Sequence, residues 1–115
     1  MMETLSERIR LAEHLARRLP EVTRNEWMRW VQLVRRYGLM PALRYAERLA
    51  VDPTLRPAVQ RANRLIAQAV RERLREIEGL EERELLSVLG FVAWHLQFMS
   101  ARRPAVSVQD TKNRS

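Results

Sequence analysis

Several residue types are scarce in this chain, and each scarcity excludes a class of protein. Cysteine is absent, so the chain has no disulfides, no zinc–thiolate sites and no thiol-based catalysis. No apolar run approaches the ~20 residues of a transmembrane helix, and the N-terminal residues hold no apolar signal segment. We therefore expect a cytoplasmic protein that does not associate with a membrane.

Basic residues outnumber acidic ones by 21 to 14, and every basic residue except Lys112 is an arginine. The formal net charge is +7, and the excess is regional, because residues 24–64 hold nine arginines against three acids. Such a concentration of positive charge is typical of the footprint for a polyanion, above all nucleic acid. A compositional bias would explain arginine over lysine, but not the excess of bases over acids.

The three glycines and the apolar spacing of three and four positions predict an all-α protein. We expect a compact bundle of about five helices. The predicted helices end near Pro20, Gly38, Asp52, Gly79 and Pro104. Residues 1–103 would form a single helical-bundle domain, and the polar, aperiodic residues 104–115 a flexible C-terminal tail. The fourth helix is predicted to be the longest.

The second helix has a well-marked start and a well-marked end. Thr23 and Glu26 have the spacing of a capping box, and Val22 and Trp27 occupy the positions of the accompanying hydrophobic staple. Gly38 ends the helix, because glycine adopts a positive φ at little cost. The predicted apolar face consists of Trp27, Trp30, Val31, Val34 and Tyr37. Exposed tryptophans could stack on bases, but this stripe predicts that both belong to the core.

The sequence offers little for catalysis. His14 and His95 are the only histidines; we expect His95 to be a hydrogen-bonded core residue and His14 to lie on the surface. Ser87 has no glycine-rich elbow beside it, and no phosphate-binding glycine loop or metal-ligand spacing is present. We therefore expect no enzymatic activity, no metal ion and no cofactor.

Arginines on the second, third and fourth helices are candidates for nucleic-acid binding. On the fourth helix Arg64, Arg71 and Arg75 align over about 16 Å, at a rise of about 1.5 Å per residue, and Arg61 lies at the edge of this stripe. Arginine contacts phosphates through forked, bidentate hydrogen bonds. The whole predicted set is Arg29, Arg36, Arg44, Arg61, Arg64, Arg71 and Arg75. The alternative is an ordinary solvated helix face.

Residues 42–62 resemble a bacterial helix-turn-helix. Ala46, Ala50 and Val51 match the usual spacing of small and apolar residues around the turn. Arg56 occupies a position that is usually apolar, and a proline within the recognition helix would remove a backbone hydrogen bond. A DNA-binding regulator of this kind remains an alternative.

The segment from Trp27 to Leu49 has a second resemblance. An aromatic-rich helix leads into Tyr37-Gly38-Leu39-Met40, and the following helix carries Leu43, Tyr45 and Leu49. This resembles the turn of the small α-helical subunit of type III-B (Cmr) CRISPR RNA-guided effector complexes. The similarity extends over most of residues 5–101, including a final hydrophobic helix that contains a tryptophan. The chain is short for that family, and its fourth helix is more charged.

The resemblance implies a non-catalytic helical bundle that stacks in several copies inside an antiviral ribonucleoprotein complex. Its partners would be the backbone of a guide–target RNA duplex, other effector subunits and copies of itself. A membrane or a small-molecule substrate would not be among them. A third alternative is a helical protein-interaction module whose arginine excess is only compositional.

Contacts between copies would use the last helix and the acidic residues before it. The last helix is apolar nearly all round from Leu85 to Met99, which is typical of a helix central to the core or covered by a partner subunit. An acidic end could meet a basic patch of the next copy, and such a heterologous contact builds a filament. The predicted interface residues are Glu78, Glu81, Glu82, Phe91 and Phe98.

Overall fold

The computed structural model describes residues 4–114, with side chains as far as residue 98, and this part is all-α without strands. Its helices are α1 (Leu5–Arg17), α2 (Arg24–Tyr37), α3 (Leu39–Ala50), α4 (Pro57–Glu72), α5 (Leu74–Glu78) and α6 (Glu82–Arg114). The predicted all-α bundle is confirmed. The predicted flexible tail, residues 104–115, falls outside the part with described side chains and stays a prediction.

The predicted unbroken fourth helix is wrong, because the structure divides it into α4 and α5. Arg73 separates the two helices and has φ −120° and ψ 23°. No glycine or proline marks this break, so the sequence carries no local signal for it. The Arg73 guanidinium donates to Glu76 at 2.9 Å and lies 3.2 Å from Nδ1 of His14 on α1. The break is therefore supported by a tertiary contact between α1 and the start of α5.

The predicted ends of α2 are confirmed. The backbone N–H of Glu26 donates to Oγ1 of Thr23 at 3.1 Å, and the backbone N–H of Thr23 donates to Oε1 of Glu26 at 2.9 Å. Gly38 ends α2 with φ +96°, the only positive φ among the described residues. Because α3 begins at Leu39, one residue connects the two helices and the chain turns sharply there.

The core lies between α6 and the pair α1 and α2 on one side, and extends through α3 to α4. Both tryptophans of α2 are buried in it, as predicted. Nε1 of Trp27 donates to the carbonyl oxygen of Leu89 on α6, and Nε1 of Trp30 donates to that of Ala42 on α3, each at 2.9 Å. The rings bury a large apolar area while both indole N–H groups remain hydrogen-bonded. They therefore fix α2 against α6 and α3.

Between Leu85 and Phe98, helix α6 is apolar nearly all round but buries only one face. The buried residues are Leu85, Val88, Leu89, Val92, Ala93 and Leu96. On the outer face Trp94 is 62% exposed and Phe98 is 48% exposed, and their rings stack with centroids 5.8 Å apart. Within the described residues, no helix combines the length and the apolarity needed to cross a bilayer.

The two histidines differ from expectation. His95 is half-buried and meets the ring of Trp94 edge-on at 5.2 Å, rather than being a hydrogen-bonded core residue. It lies at the boundary between the buried and outer faces of α6. His14 is half-buried against Arg73 rather than freely exposed on the surface. Because a guanidinium only donates, Nδ1 of His14 is the acceptor in this contact.

Candidate nucleic-acid interface

Six of the seven arginines predicted to bind nucleic acid divide into two groups in the structure, and Arg75 lies apart from both. In the first group, on α4, Arg71 is held by Glu47 of α3. Nε and Nη2 of Arg71 donate to the two carboxylate oxygens of Glu47 at 2.7 and 3.0 Å. The hydrogen bond from Arg71 is the main cause that lowers the pKa of Glu47, and the same bond raises the pKa of Arg71. A phosphate on Arg71 would have to compete with this bidentate partner.

Two further arginines of α4 also have partners within the protein. Nη1 of Arg61 lies 3.4 Å from Oε1 of Glu21, which belongs to the connection between α1 and α2. Nη2 of Arg64 donates to the carbonyl oxygen of Ala50 at the end of α3 at 3.4 Å. Both contacts are long, and only the one between Arg61 and Glu21 is an exposed ion pair, a class that contributes little to stability. They nevertheless orient the side chains along the protein surface.

Arg75 does not continue the stripe on α4. The predicted alignment with Arg64 and Arg71 assumed one continuous helix, and the break at Arg73 removes that assumption. Arg75 is exposed on α5, close to the acidic residues Glu76 and Glu78. Its surroundings are therefore less positive than the sequence pattern indicated.

The second group lies on the outer sides of α2 and α3. It consists of four exposed arginines, which we call the basic face: Arg29, Arg36, Arg44 and Arg48. Among the described residues none of their side chains forms an ion pair or a hydrogen bond, although Arg44 interacts electrostatically with Glu47. Sequence analysis identified the first three and missed Arg48. The sequence feature that could have identified Arg48 is its spacing of four residues from Arg44, which places both on the same side of α3.

A groove runs between α2 and α3 and separates the arginines of the basic face. One part of it, a cavity of about 390 Å³, is lined by Leu33, Tyr37, Pro41, Ala42 and Tyr45. A neighbouring cavity of about 300 Å³ shares Leu33 and Tyr45 and extends to Arg29 and to Asn63 of α4. Arg36, Arg44 and Arg48 lie one helical turn from groove-lining residues, so positive charge borders both sides.

Two tyrosines are exposed along this groove. Tyr37 is 59% exposed and Tyr45 is 43% exposed. The prediction that Tyr37 belongs to the buried apolar face of α2 is wrong, because the chain turns at Gly38 immediately after it. Neither tyrosine appeared among the predicted site residues. The one feature of the sequence that could have identified them is their position, since each directly follows an arginine of the basic face.

Two acids on α2 and α3, the helices of the basic face, are hydrogen-bonded within the protein. Glu26, which lines the same cavity as Arg29, accepts the backbone N–H of Thr23 in the capping box. Glu47 is engaged by Arg71, as described above. The lowered pKa of Glu47 comes first from its hydrogen bond with Arg71 and to a smaller extent from the charge of Arg44, so Glu47 partly offsets the charge of Arg44.

The predicted subunit interface is only partly exposed. Glu78, Glu81 and Glu82 are exposed around the turn between α5 and α6, whereas Phe91 is half-buried and packs against the core. Phe98 is exposed and stacks on Trp94, which sequence analysis did not include. A contact between copies through these residues stays a prediction.

The geometry of α3 and α4 departs from a helix-turn-helix. Residues 51–56 separate the two helices, whereas the motif uses a turn of three or four residues. Pro57 is the first residue of α4, where its missing N–H costs nothing, so the objection to a proline inside the helix does not apply. The long connection and the occupied arginines of α4 count against a recognition helix.

No protein-family model matches this chain, and no curated protein or solved structure is significantly similar to it. Within the described residues, histidine and acidic side chains form no group of three that could hold a metal ion. What the protein binds is therefore inferred from its own side chains.

Proposed function

We propose that the protein is a non-catalytic RNA-binding subunit that holds an RNA backbone on its basic face. On two adjacent helices, four exposed arginines form no side-chain hydrogen bond or ion pair among the described residues, and this observation carries the proposal. Arginines in this state can neutralise phosphates and release counterions, which gives sequence-independent, salt-sensitive binding. The arginines of α4 would have to give up contacts within the protein first.

The choice of RNA is supported by the resemblance to type III-B small subunits. The resembling segment, Trp27 to Leu49, contains all four arginines of the basic face. In such a complex, base pairing with a guide would select the sequence, and this chain would position the backbone. The complex would serve in antiviral defence.

Copies of the chain are also proposed to stack on one another. The exposed pair Trp94 and Phe98 offers an apolar contact, and the acidic turn around Glu78 and Glu82 offers a charged one. A basic patch of the next copy would provide the complementary charge for a head-to-tail arrangement.

A triple substitution tests the assignment of the basic face. In a variant with Arg36, Arg44 and Arg48 changed to Gln, we expect weaker binding of a fluorescein-labelled single-stranded RNA for every sequence tried. The slope of log affinity against log salt should fall in magnitude by about 2, because three phosphate contacts are lost. Fluorescence anisotropy between low and moderate salt measures both quantities.

The matched control removes the same charge from the other group of arginines. With Arg61, Arg64 and Arg71 changed to Gln, affinity and salt slope should stay closer to those of the wild type. A larger loss in this control would transfer the site to α4. Selective binding of one duplex DNA sequence would favour the helix-turn-helix alternative, and a lack of salt-dependent RNA binding would favour a protein-interaction module.

A further inference from the structure

We infer that the groove between α2 and α3 takes unpaired bases, so that the nucleic acid on the basic face is single-stranded where it passes Tyr37 and Tyr45. This inference rests on the proposed function, because it assumes that the arginines around the groove hold the phosphates. It adds the class of ligand, a single strand, and a chemical role for the two tyrosines. Base stacking on aromatic side chains is tolerant of sequence, because every base has a π-face.

The tyrosines are exposed although the core takes up the other aromatic rings of α2. Trp27 and Trp30 are nearly fully buried, whereas Tyr37 keeps 59% of its surface and Tyr45 keeps 43%. Among the described residues neither tyrosine hydroxyl forms a hydrogen bond within the protein. Neither core packing nor hydrogen bonding within the protein therefore explains why aromatic residues occupy these two positions.

Both rings line the same cavity, which also has apolar walls. Leu33 and Pro41 complete the lining, and the cavity volume is about 390 Å³. A nucleobase is flat and mainly apolar on its faces, so a groove with aromatic and aliphatic walls suits it. Beyond Tyr45 the groove continues to Arg29 and to Asn63. A strand could therefore pass from one cavity to the next.

The two helices that carry Tyr37 and Tyr45 are joined firmly beside the groove. Nε1 of Trp30 donates to the carbonyl oxygen of Ala42 at 2.9 Å, which joins α2 to α3 under the groove. Gly38, with φ +96°, connects the two helices through a single residue next to Tyr37. A groove whose walls are already fixed in this way loses little conformational entropy when a ligand binds.

The charge around the groove favours a strand whose bases turn inward and whose phosphates turn outward. Arg36 precedes Tyr37, and Arg44 precedes Tyr45, so each ring has a cation beside it along the chain. In a duplex the bases are paired and stacked on each other, and the phosphates face outward. A duplex would reach the arginines but not the rings. Bases of a single strand can reach both.

The test compares three probes of equal length on single substitutions of the tyrosines. The probes are a single-stranded RNA, the same RNA in a duplex, and an oligomer of abasic nucleotides that keeps every phosphate. For Tyr37→Leu and Tyr45→Leu we expect affinity for the single strand to fall roughly 5- to 100-fold, the range for one lost base stack. Affinity for the duplex and for the abasic oligomer should stay unchanged.

The conservative variants Tyr37→Phe and Tyr45→Phe serve as controls, because phenylalanine keeps the ring and should retain wild-type affinity. Removing the ring and removing the bases should not be additive, since both delete the same contact. Equal losses on all three probes would overturn the inference, as would leucine variants that bind the single strand normally. The latter result would also be expected if the groove takes an apolar segment of a protein.

The two proposals fail in different ways. If the triple arginine substitution weakens RNA binding and the leucine substitutions do not, the basic face stands and base stacking is rejected. If neither set of substitutions changes RNA binding, the proposed function itself is rejected, and the inference with it.

Discussion

The three tryptophans of this protein occupy two kinds of environment, although all lie on helices with apolar stripes. Trp27 is fully buried with its indole N–H bonded to Leu89, whereas Trp94 is 62% exposed on the outer face of α6. The same substitution at the two sites therefore removes very different amounts of packing. Burial, rather than residue type, decides what each tryptophan contributes to stability.

We expect Trp27→Phe to destabilise the protein by roughly 1–3 kcal/mol, because it leaves a cavity and removes the hydrogen bond to Leu89. The matched substitution Trp94→Phe should change stability by less than about 0.5 kcal/mol in the monomer. Urea unfolding followed by far-UV circular dichroism measures both, since tryptophan fluorescence changes with the substitutions. Equal losses at the two sites would show that Trp94 is packed in solution.

Individual arginines could not be assigned from the sequence for a related reason. The sequence shows where the arginines lie along the chain, but it does not show which ones face an acid from another helix. Arg71 meets Glu47 across 24 positions of chain, and Arg18 meets Glu72 across 54. The free arginines of the basic face became distinguishable only after these pairs were located.

At the scale of the element, local chemistry controls where most helices begin and end. The capping box at Thr23 and the positive φ at Gly38 follow from neighbouring residues, and both were predicted. The break at Arg73 was not predicted, because it involves His14 of another helix. The glycines also differ in what they require of their positions. Gly38 has φ +96°, which favours glycine, whereas a Cβ at Gly90 in α6 would meet no atom within 4 Å.

We expect Gly90→Ala to stabilise the protein by roughly 0.5–1 kcal/mol, because alanine loses less backbone entropy in a helix and open space receives its methyl group. Gly38→Ala should instead cost roughly 1–2 kcal/mol, because an L-residue is strained at that φ. Thermal and urea unfolding of the two variants give the comparison. A destabilised Gly90→Ala protein would mean that something packs against this position.

At the scale of the whole molecule, charge and apolar surface occupy different regions. The basic face lies on α2 and α3, and the exposed aromatic pair lies on α6. Glu78 and Glu82 line a cavity together with Arg35 and Gly38, so the acidic turn adjoins the junction of α2 and α3. The exposed aromatic pair on α6 is the surface feature that supports the proposed stacking of copies.

If copies stack through α6, the mass seen by sedimentation velocity should rise with protein concentration, and Trp94→Gln should weaken the association at least about tenfold. Val51→Gln is the matched control, because Val51 is 75% exposed on a different surface and should leave association unchanged. High salt should also weaken the contact, since it screens the charged component. A mass that stays monomeric at all concentrations contradicts the proposal.

The all-α class, the ends of α2 and the burial of Trp27 and Trp30 follow from the order of amino acids alone, because they depend on periodicity and on residues a few positions apart. Three features depend on the packing of the helices against one another. These are the pairing of individual arginines, the exposed groove that Tyr37 and Tyr45 share, and the interruption of the helix at Arg73. Each of these depends on residues far apart in the chain meeting in space, which no local pattern encodes.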